Sequence, residues 1–570
     1  DAPETETATG ENFARTYTLN VNIANGEKID SLKVSDFLPK NLVYLPGTLS
    51  VTGATLTSSE LPTPGAAQNA PNNDFVLNFG SVTGTDSDSD VVITYKAYAP
   101  KIDANNAAVI DAATGDDRKA LNESQVTGTY GGVAVSDGAK DAVGTKDDPA
   151  DYELELKSIA IQKGVAVVGG GDAKPGSVLE YTLNFQISDY FSFKDLGIND
   201  IFSDGQRFDK TFAPTLTING NNGTAGTTTF GNFSGDANGA FTLDNLTGSV
   251  ATGTNGSTTL NFNVSQRLIN SNIDADGVLD GDFVDATKQG GTTATLVYRT
   301  VIQDNFSNQH NQSGFTKDSS VDLADTLTNN VTISGKVVGS NQLEEDTSKA
   351  SISIPEPKST KEIYAINVVV VSDPSKVKIA PGQTITYRLK TELPIADTEK
   401  LKLTDFLPLP VFNAAELTGS SIGAFSGVPG AGTMTFGPSH TLNSIVPGVT
   451  TTFTINGTQN TIAINFGSFD DPQNRSATID LLFTVTATDK PFTDGLFLTN
   501  QAQTDYGSTD DAFKAAVTEI VQVELIQPSL KITKGVVSTT ATTPTFDKPI
   551  GPVTFNTAGT TGAAFSGTID

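Results

Sequence analysis

The sequence predicts an all-β protein built from tandem β-sandwich domains. Three observations lead to this prediction: short segments that alternate apolar and polar residues, abundant turn-forming residues between them, and a strand phrase that occurs three times. Alternation with period two marks strands that bury one face, whereas Gly, Asn, Asp and Ser favour the turns that join them. Amphipathic helical patterns are almost absent. Self-similarity at a long period indicates a string of like modules.

The repeated phrase is a strand, an Asp-hydrophobic-Leu-Pro turn and, much later, a closing strand that carries Asn. Two copies are well preserved, beginning at Arg15 and Ile385, and a worn copy begins at Leu179. The Asp positions of the three copies are Asp36, Asp200 and Asp405, and the Asn positions are Asn122, Asn329 and Asn500.

These phrases divide the chain into four parts. Module one (1–155) is a sandwich that lacks its first strand, and module two (156–355) is a sandwich with long Asn/Gly-rich and Asp-rich insertions. Module three (356–526) is a third sandwich. Residues 527–570 are either the start of a fourth module or a donor-strand tail, since the segment at 529–537 repeats the opening of module two. A chain of 570 residues is too long for one core, which agrees with several domains.

Individual strands can be predicted in module one from alternation alone. They are Thr16–Ile23, Ser31–Phe37, Asp74–Phe79, Val91–Tyr98, Ser124–Tyr130 and Tyr152–Leu156. Module two opens with a strand at Ser158–Val168, and module three with one at Ile363–Val371. The chain starts at Asp1 without a Met or a signal segment, which predicts a processed or excised piece of a secreted protein.

Composition excludes several classes of function. The net charge of −29 leaves no basic stripe to displace phosphate counterions, so nucleic acid is not an expected partner. The chain has no Cys, hence no disulfide and no thiolate metal site. No apolar window of membrane-spanning length occurs. The acidic charge is either a solvated surface or one that divalent cations neutralise, which makes Ca²⁺ the expected cofactor.

One loop has the spacing of a calcium site. Asn272, Asp274, Asp276 and Asp280 stand at positions 1, 3, 5 and 9 of an EF-hand-like loop, with Gly277 at the sharp turn. The carbonyl of Val278 would be the position-7 ligand, and Asp282 or Asp285 would replace the missing Glu at position 12, where the chain has Phe283. The alternative is a surface loop rich in Asx turns.

Two other turns are weaker calcium candidates, because their side chains also suit ordinary hairpin turns. They are the turn in module one with Asp86, Asp88 and Asp90, and the turn in module three with Asp470, Asp471 and Asn474.

The repeats resemble bacterial cell-surface immunoglobulin-like repeat domains, on the strength of the Asp-x-Leu-Pro and Asn-x-Ala elements. They are also similar to collagen-adhesin-type domains, some of which form a Lys–Asn isopeptide bond. That reaction needs a neutral buried Lys, an Asn amide and a protonated carboxyl that polarises the amide. In module two the resemblance implies Lys163, Asp200 and Asn329 for these roles. The alternative is a buried hydrogen-bonded group without a covalent bond.

The other modules match this pattern less completely. In module three, Asp405 and Asn500 are present, but Asn367 is aligned with the lysine position. In module one, Asp36 and Asn122 have no lysine-bearing first strand, and Lys534 in the tail could complete the trio across a subunit interface. The competing explanation is that both ends belong to a longer repetitive chain.

No enzymatic constellation is evident, because His310 and His440 lie in loops without a placed Ser or Cys partner, so the chain is not expected to be an enzyme. The prediction is an extracellular structural protein of a bacterial surface assembly, such as a surface layer, fibre or adhesin stalk, stiffened by calcium. Its partners would be copies of itself, further repeats, or cell-surface and matrix components. The alternative is an adhesin that binds a carbohydrate or protein, although the absence of Trp disfavours a lectin-like tip.

Overall fold

The fold was analysed in a computed structural model of the chain. The residues that it describes are 6–62, 74–103, 105–110, 118–139, 149–220, 225–230, 241–243, 255–282, 290–308, 313–316, 318–373, 377–471, 473–489, 493–527, 554–555 and 565–566. Within them the chain is dominated by antiparallel strands arranged as three successive pairs of sheets. The predicted class, all-β immunoglobulin-like sandwiches, is confirmed.

Module one contains eleven strands and a 3-10 turn at Glu11–Phe13. The strands are β1 Glu6–Ala8, β2 Arg15–Val21, β3 Lys28–Phe37, β4 Val43–Tyr44, β5 Ser50–Thr52, β6 Ser58–Glu60, β7 Asp74–Thr83, β8 Val91–Tyr98, β9 Arg118–Tyr130, β10 Val133–Asp137 and β11 Tyr152–Lys157. One sheet has the order β1-β11-β9-β3-β7-β6, with β10 on β9, and the other has the order β2-β8-β4, with β5 on β8. All six strands expected from alternation are present, most of them one to six residues longer or shifted at their ends.

Module two contains twelve strands and one helix. They are β12 Ile159–Val167, β13 Val178–Ile187, β14 Ser192–Phe202, β15 Gln206–Phe208, β16 Thr215–Asn219, β17 Gly226–Thr229, β18 Phe241–Leu243, β19 Thr258–Asn263, α1 Val264–Asn270, β20 Leu279–Asp280, β21 Thr292–Ile302, β22 Thr326–Val337 and β23 Leu343–Ser353. The sheets are β12-β13-β21-β16-β17, with β15 on β21, and β18-β19-β14-β22-β23, with β20 on β14.

The short helix α1 was not anticipated from the sequence. Asn263 caps it, because its side-chain oxygen accepts a hydrogen bond from the backbone N–H of Gln266. Val264 and Leu268, four residues apart, point into the core. With seven residues, the segment is too short for a helical period to stand out from its surroundings.

Module three contains twelve strands, a 3-10 turn at Ala414–Leu417 and a one-turn helix. They are β24 Lys358–Ile366, β25 Val369–Val370, β26 Lys378–Ile379, β27 Thr384–Leu393, β28 Thr398–Phe406, β29 Ile422–Gly423, β30 Thr433–Phe436, α2 Leu442–Ile445, β31 Thr452–Asn456, β32 Thr461–Phe469, β33 Ala477–Thr486, β34 Phe497–Gly507 and β35 Ala515–Leu525. Its sheets are β25-β24-β27-β33-β30-β29 and β26-β35-β34-β28-β32-β31. Beyond it, β36 Thr554–Phe555 pairs with β37 Phe565–Ser566.

The three modules share one strand register around the repeated Asp. In each module this Asp lies on the central strand of one sheet, and the repeated Asn lies two residues before the Asp's partner on the neighbouring strand. The pairs are Asp36 with Ser124, Asp200 with Val331 and Asp405 with Ala502. An aromatic pair faces each Asp from the opposite sheet: Tyr17 with Tyr95, Tyr181 with Tyr298 and Tyr387 with Phe483.

Alternating burial holds the sheets together. Along β21 every second side chain from Thr292 to Ile302 is buried, and the others are partly exposed. Leu183, Phe185 and Ile198 lie between the two sheets of module two and are almost fully buried. Burying a side chain of this size contributes about 1.5–3 kcal/mol. Among the described residues, no helix has the length and apolar character that a membrane span requires.

Modules one and two meet through Asn12. Its backbone N–H and its side-chain NH₂ each donate to the Asp189 carboxylate at 3.0 Å, and the same NH₂ group donates to Asp282 at 2.8 Å. Thr9 and Ser188 exchange a hydroxyl hydrogen bond of 2.6 Å beside them. This junction lies at the end of module two where β13 leads into β14.

Modules two and three meet at the opposite end, around Thr509. Its hydroxyl oxygen lies 2.8 Å from carboxylate oxygens of both Asp322 and Asp325, and its N–H donates to Asp325 at 2.9 Å. Burial, followed by the charge of Asp325, raises the pKa of Asp322 to about 9. A protonated Asp322 can donate a hydrogen bond to the Thr509 hydroxyl oxygen. The Thr509 hydroxyl can then donate its own proton to the Asp325 carboxylate.

We predict that Thr509→Val loosens this junction. Valine has the same shape but no hydroxyl, so two buried carboxyl groups lose a partner, at a cost of about 1–3 kcal/mol. Hydrogen exchange should become faster in residues 313–325 and 508–511 than in the wild type. Thr518→Val, at an exposed position of β35, is the control and should leave these rates unchanged. Equal rates in Thr509→Val and the wild type would contradict the role given to Thr509.

Candidate isopeptide sites in the sandwich cores

In module two the structure brings the three predicted residues together. Lys163 on β12 forms an ion pair with Asp200 on β14, and both side chains are fully buried. Tyr298 on β21 donates to the other Asp200 oxygen at 2.7 Å and lies 3.2 Å from the Lys163 amine. The Asn329 NH₂ group, on β22, donates to the Tyr298 hydroxyl. Lysine, carboxyl and amide therefore surround one phenol oxygen in the core.

The positions follow from strand register. Lys163 lies opposite Leu183 on β13, on the face that looks into the sandwich, and its amine is 5.0 Å from the centre of the Tyr181 ring. Asp200 and Asn329 lie on adjacent strands of the facing sheet, two residues apart in register. The two sheets thus approach each other with the lysine on one side and its two partners on the other.

Burial sets the protonation of this group. It lowers the pKa of Lys163 to about 8, although the charge of Asp200 opposes the shift. It raises the pKa of Asp200, against the opposing effects of Lys163, Tyr298 and Asn329. Both shifts favour the neutral forms, an amine and a carboxylic acid, because a charge taken out of water loses its solvation. These are the forms that the coupling of Lys with Asn requires.

The Asn329 carbonyl is the group to be polarised. Its Oδ1 atom is buried and has no hydrogen-bond partner among the described residues. A buried carbonyl without a donor is costly. A protonated Asp200 next to it could supply the missing hydrogen bond and draw electrons from Cγ.

Module three has the same arrangement with one substitution. Lys361 on β24 forms a fully buried ion pair with Asp405 on β28. Asn500 on β34 is fully buried, and neither its oxygen nor its nitrogen has a hydrogen-bond partner in the described part of the chain. The cause is Phe483, which occupies the position of Tyr298 and has no hydroxyl. One oxygen of Asp405 is likewise without a partner.

The alignment of Asn367 with the lysine position was wrong. Asn367 lies in the turn between β24 and β25 with φ of +46°, and its side chain accepts a hydrogen bond from Thr384 N–H at 3.0 Å. The lysine that faces the carboxyl is Lys361, 44 residues before Asp405, compared with 37 residues between Lys163 and Asp200. The lysine-to-aspartate spacing is longer in module three, and β24 has a β-bulge between Ile363 and Ala365. Aligning the two sequences at nearly equal spacing therefore put Asn367 in place of Lys361. Strand pairing identifies Lys361: it lies opposite Leu389, two residues after Tyr387, as Lys163 lies opposite Leu183, two residues after Tyr181.

Module one has the acid, the phenol and the amide without a lysine. The Tyr95 hydroxyl lies 3.0 Å from both oxygens of Asp36, and the Asn122 NH₂ group donates to it at 2.8 Å. Burial raises the pKa of Asp36 to about 7, against the opposing hydrogen bonds from Tyr95 and Asn122. Lys534, the lysine expected to complete this trio, lies outside the described residues.

In the predicted calcium loop, the carboxylate oxygens of Asp274 and Asp276 accept backbone hydrogen bonds that stabilise the turn. Asp274 accepts hydrogen bonds from the backbone N–H groups of Asp276 and Gly277 at 3.0 and 2.8 Å, and Asp276 accepts one from Val278 at 3.0 Å. Asn272 occupies the left-handed region with φ of +54°. The hydrogen bond that protonated Asp276 donates to the Asp274 carboxylate raises the pKa of Asp276, so the two carboxyl groups are in contact.

Of the remaining loop residues, Asp280 lies close enough to Asp276 for its charge to raise the pKa of Asp276, whereas the Asp282 side chain has a partner outside the loop. The Asp280 carbonyl accepts from the Thr292 hydroxyl at 2.5 Å, and Asp282 faces Asn12 in the junction with module one. In the described ranges, no group of three or more Asp, Glu or His side chains is arranged to hold a metal ion. Calcium at this loop therefore stays a prediction from the sequence.

The two weaker loops have the same character. Asp90 accepts from Thr85 and Ile23, Asp86 accepts from Asn25, and Asp88 is exposed. Asp471 accepts from the N–H groups of Gln473 and Arg475 at 3.2 and 2.7 Å. Burial and the nearby charge of Asp318 both raise the pKa of Asp470. Asn474 has φ of +46°, in the left-handed region. These are turn geometries with no converging set of ligands.

Comparisons with known proteins add the following. No family model and no curated protein matches the chain. Among solved structures it is similar to the C-terminal domain of the AgI/II polypeptide BspA of Streptococcus agalactiae, with 11% identity, TM-score 0.22, and coverage of 64% of this chain and 99% of that one. It is also similar to a collagen-binding domain from a Staphylococcus aureus adhesin, with 10% identity, TM-score 0.19, and coverage of 34% and 97%.

A third structure spans most of the chain. A putative membrane-anchored protein from Corynebacterium diphtheriae covers 91% of this chain and 87% of its own, at 9% identity and TM-score 0.17. The neighbours named here are bacterial surface proteins. TM-scores this low leave the function to be argued from the residues themselves.

We predict that the stability of module one falls as pH rises, and that Asp36 causes it. The pKa of Asp36 is about 7 in the fold, above its value of about 3.9 in an unfolded chain. The protonated acid therefore contributes stability that is complete below about pH 4 and is lost towards pH 7, on the order of 4 kcal/mol at most. Asp36→Asn keeps the neutral shape and should remove this dependence.

The measurement is urea denaturation at pH 5 and pH 8, followed by hydrogen exchange of peptides from β2 and β8. Asp30→Asn is the control, since Asp30 is an exposed residue of the same strand. Equal pH dependence in Asp36→Asn and the wild type would refute the assignment.

Proposed function

We propose that this chain is a structural stalk of a bacterial surface assembly, whose sandwiches are locked by intramolecular Lys–Asn isopeptide bonds. The bonds would join Lys163 to Asn329 in module two and Lys361 to Asn500 in module three. The observation that carries the proposal is a fully buried lysine in each of these cores, paired with a fully buried carboxyl beside the repeated Asn.

The reaction needs no group from outside the core. After proton transfer from the lysine to the aspartate, the neutral Nζ attacks the asparagine Cγ, and the protonated aspartate donates a hydrogen bond to the amide oxygen. A new Nζ–Cγ bond forms, the Cγ–Nδ2 bond breaks, and Nδ2 leaves as ammonia after taking up the lysine proton through the aspartate. The aspartate keeps the proton that it took from the lysine ammonium group and ends as a carboxylic acid, so protons and charge balance.

The bonds would suit a protein under tension. Each joins the first strand of a module to a strand of the opposite sheet, so the sheets cannot slide apart without breaking a covalent bond. The closed loops span 166 residues (329 minus 163) and 139 residues (500 minus 361). Cross-links that close loops of this length stabilise by about 5 kcal/mol in the chain-entropy treatment. They would take the place of disulfides in a chain that has no Cys.

We predict that the intact protein is lighter than its sequence mass by about 34 Da, since each bond releases one ammonia of about 17 Da. Asp200→Asn should restore about 17 Da and should abolish only the cross-linked peptide that contains Lys163 and Asn329. Asp405→Asn should do the same for Lys361 and Asn500. Intact mass spectrometry and tandem spectrometry of digests provide both readouts.

The matched control is Asp195→Asn, an exposed position on the same strand as Asp200. It should retain the full mass loss. A wild-type mass equal to the sequence mass would reject covalent locking and leave the lysines as buried ion pairs.

Calcium stiffening is a separate prediction, based on the spacing of Asn272, Asp274, Asp276 and Asp280 and on the net charge of −29. If the loop binds Ca²⁺, millimolar Ca²⁺ should raise the melting temperature by mass action on the folded state. Asp276→Asn should weaken this shift, whereas Asp195→Asn, at an exposed position of β14 outside the three acidic loops, should not. Identical melting curves with calcium and with excess chelator would eliminate calcium as a stiffening ion.

The alternative function is an adhesin that binds a carbohydrate or protein ligand. The feature in its favour is an apolar cleft of about 410 Å³ in module one. Matrix components would then be the partners; the Staphylococcus aureus neighbour is itself a collagen-binding domain.

A further inference from the structure

The edge strand β2 of module one has no neighbour on its outer side among the described residues. β2 pairs with β8 alone, whereas the equivalent strands β13 and β27 pair on both sides, β13 with β12 and β27 with β24. The lysines of modules two and three lie on these covering strands, β12 and β24. In the part of module one that the structure describes, no strand thus brings a lysine to Asp36 and Asn122.

Burial shows the consequence of the missing strand. Tyr17 is 8% exposed, compared with 0% for its equivalent Tyr181. On the facing sheet, Val133 and Val135 of β10 are 67% and 38% exposed. In module two the corresponding stretch of β23 is covered by β12, and Glu344, the equivalent of Val135, is 4% exposed.

An open cleft lies where the covering strand would pack. It has a volume of about 410 Å³, and its apolar lining comes from both sheets. The apolar residues are Val21, Ile23, Ile29, Leu32, Val126 and Tyr130. In module two the equivalent space is occupied by Ile159 and Ile161 of β12, which are 0% and 2% exposed.

Around Asp36, two buried polar atoms have no hydrogen-bond partner among the described residues. The Tyr17 hydroxyl and the Asn122 carbonyl oxygen are buried without hydrogen-bond partners within the described chain. Asp137, opposite Val126 on β9, occupies the place of Asp346, opposite Ile333 on β22. Asp346 accepts a hydrogen bond of 2.7 Å from the backbone N–H of Ile161 on the covering strand. Asp137 is exposed and could accept the same bond from an added strand.

The chain contains a segment that fits this space. Residues 529–537 read Ser-Leu-Lys-Ile-Thr-Lys-Gly-Val-Val, and residues 158–166 read Ser-Ile-Ala-Ile-Gln-Lys-Gly-Val-Ala. In the register of β12 on β13, Lys534 falls opposite Leu19, as Lys163 does opposite Leu183. Leu530 and Ile532 then fall opposite Ile23 and Val21, at the apolar cleft.

The segment cannot reach module one of its own chain. It starts two residues after Gln527, which is bound to Asp494 of module three. The two junctions of module two lie at opposite ends of strand β14. Module three contacts the end at which Phe202 pairs with Asn329, and module one contacts Asp189, just before β14 begins. An eleven-residue strand separates these junctions, which is about 33 Å.

We propose that residues 529–537 of a second copy form the missing strand of module one, and that Lys534 of that copy becomes bonded to Asn122. Strand addition supplies the backbone hydrogen bonds and fills the cleft. The Lys534 amine then attacks Cγ of Asn122 with Asp36 as the acid, a new Nζ–Cγ bond forms, and Nδ2 leaves as ammonia. The contact is head-to-tail and does not close on itself, so it grows into a filament.

The inference rests on the lysine–asparagine chemistry proposed for modules two and three, and the experiment separates the two. The probe is a synthetic peptide of residues 527–538, added to the full chain that carries Lys534→Arg so that its own tail cannot form the covalent bond. The expected product is an adduct with the summed mass less about 17 Da, with Lys534 linked to Asn122 in tandem spectra. The peptide with Lys534→Arg should give no adduct, and the peptide with Lys531→Arg should react like the wild-type peptide.

Absence of an adduct on a chain whose modules two and three have each lost ammonia overturns the inference and leaves the proposed function intact. If those modules have not lost ammonia, the covalent chemistry of the proposed function has failed. Strand addition is then decided by hydrogen exchange, since the peptide should protect the amides of β2, and absence of protection overturns it.

The wild-type chain provides an independent readout. Under denaturing conditions it should show multiples of 59.5 kDa, and Lys534→Arg should reduce the ladder to the single chain. A single species in the wild type, or a ladder that persists in Lys534→Arg, contradicts covalent donation between copies.

Discussion

The buried contact between a lysine and an aspartate is the interaction on which the cores of modules two and three depend. Removing two opposite charges from water costs several kcal/mol for each ion, and only close pairing with further hydrogen bonds offsets this cost. Lys163 and Asp200 meet these conditions, since Tyr298 bridges them and Asn329 completes the group. The pair ties one sheet to the other at a defined register, because a slip of one residue would turn the lysine out to solvent.

The three modules behave as natural variants of one site. Module two has the lysine, the acid, the amide and the bridging Tyr298. Module three has Phe483 in place of that tyrosine, and its Asp405 and Asn500 accordingly keep unpartnered polar atoms. Among its described residues, module one has the tyrosine but no lysine at this site, and burial raises the pKa of Asp36 to about 7. The three modules therefore differ from one another in the lysine and the tyrosine of the buried site, within a single chain.

The junctions between modules use the chain's excess of acidic residues in another way. At the junction of modules two and three, Asp322 and Asp325 are buried around Thr509, and burial raises the pKa of both. A proton on Asp322, whose pKa is about 9, reduces the negative charge that is buried at this junction. At the junction of modules one and two, the neutral amide of Asn12 serves Asp189 and Asp282 together. Polar contacts thus join the modules at both ends of module two.

The sequence by itself determined the fold class, the strands of module one and the lysine, acid and amide of module two. These features are encoded locally, by alternation with period two and by a phrase repeated with its Asp and Asn in place. Tertiary structure decided the rest, because an insertion or bulge changes the spacing along the chain while strand pairing keeps the facing residues together. Lys361 rather than Asn367, the bridging Tyr298 and its replacement by Phe483 became visible only across the two sheets. The acidic loop at Asn272 has the spacing of a calcium loop, and calcium there stays a prediction from the sequence; tertiary structure added that the Asp282 side chain accepts a hydrogen bond from Asn12 of module one.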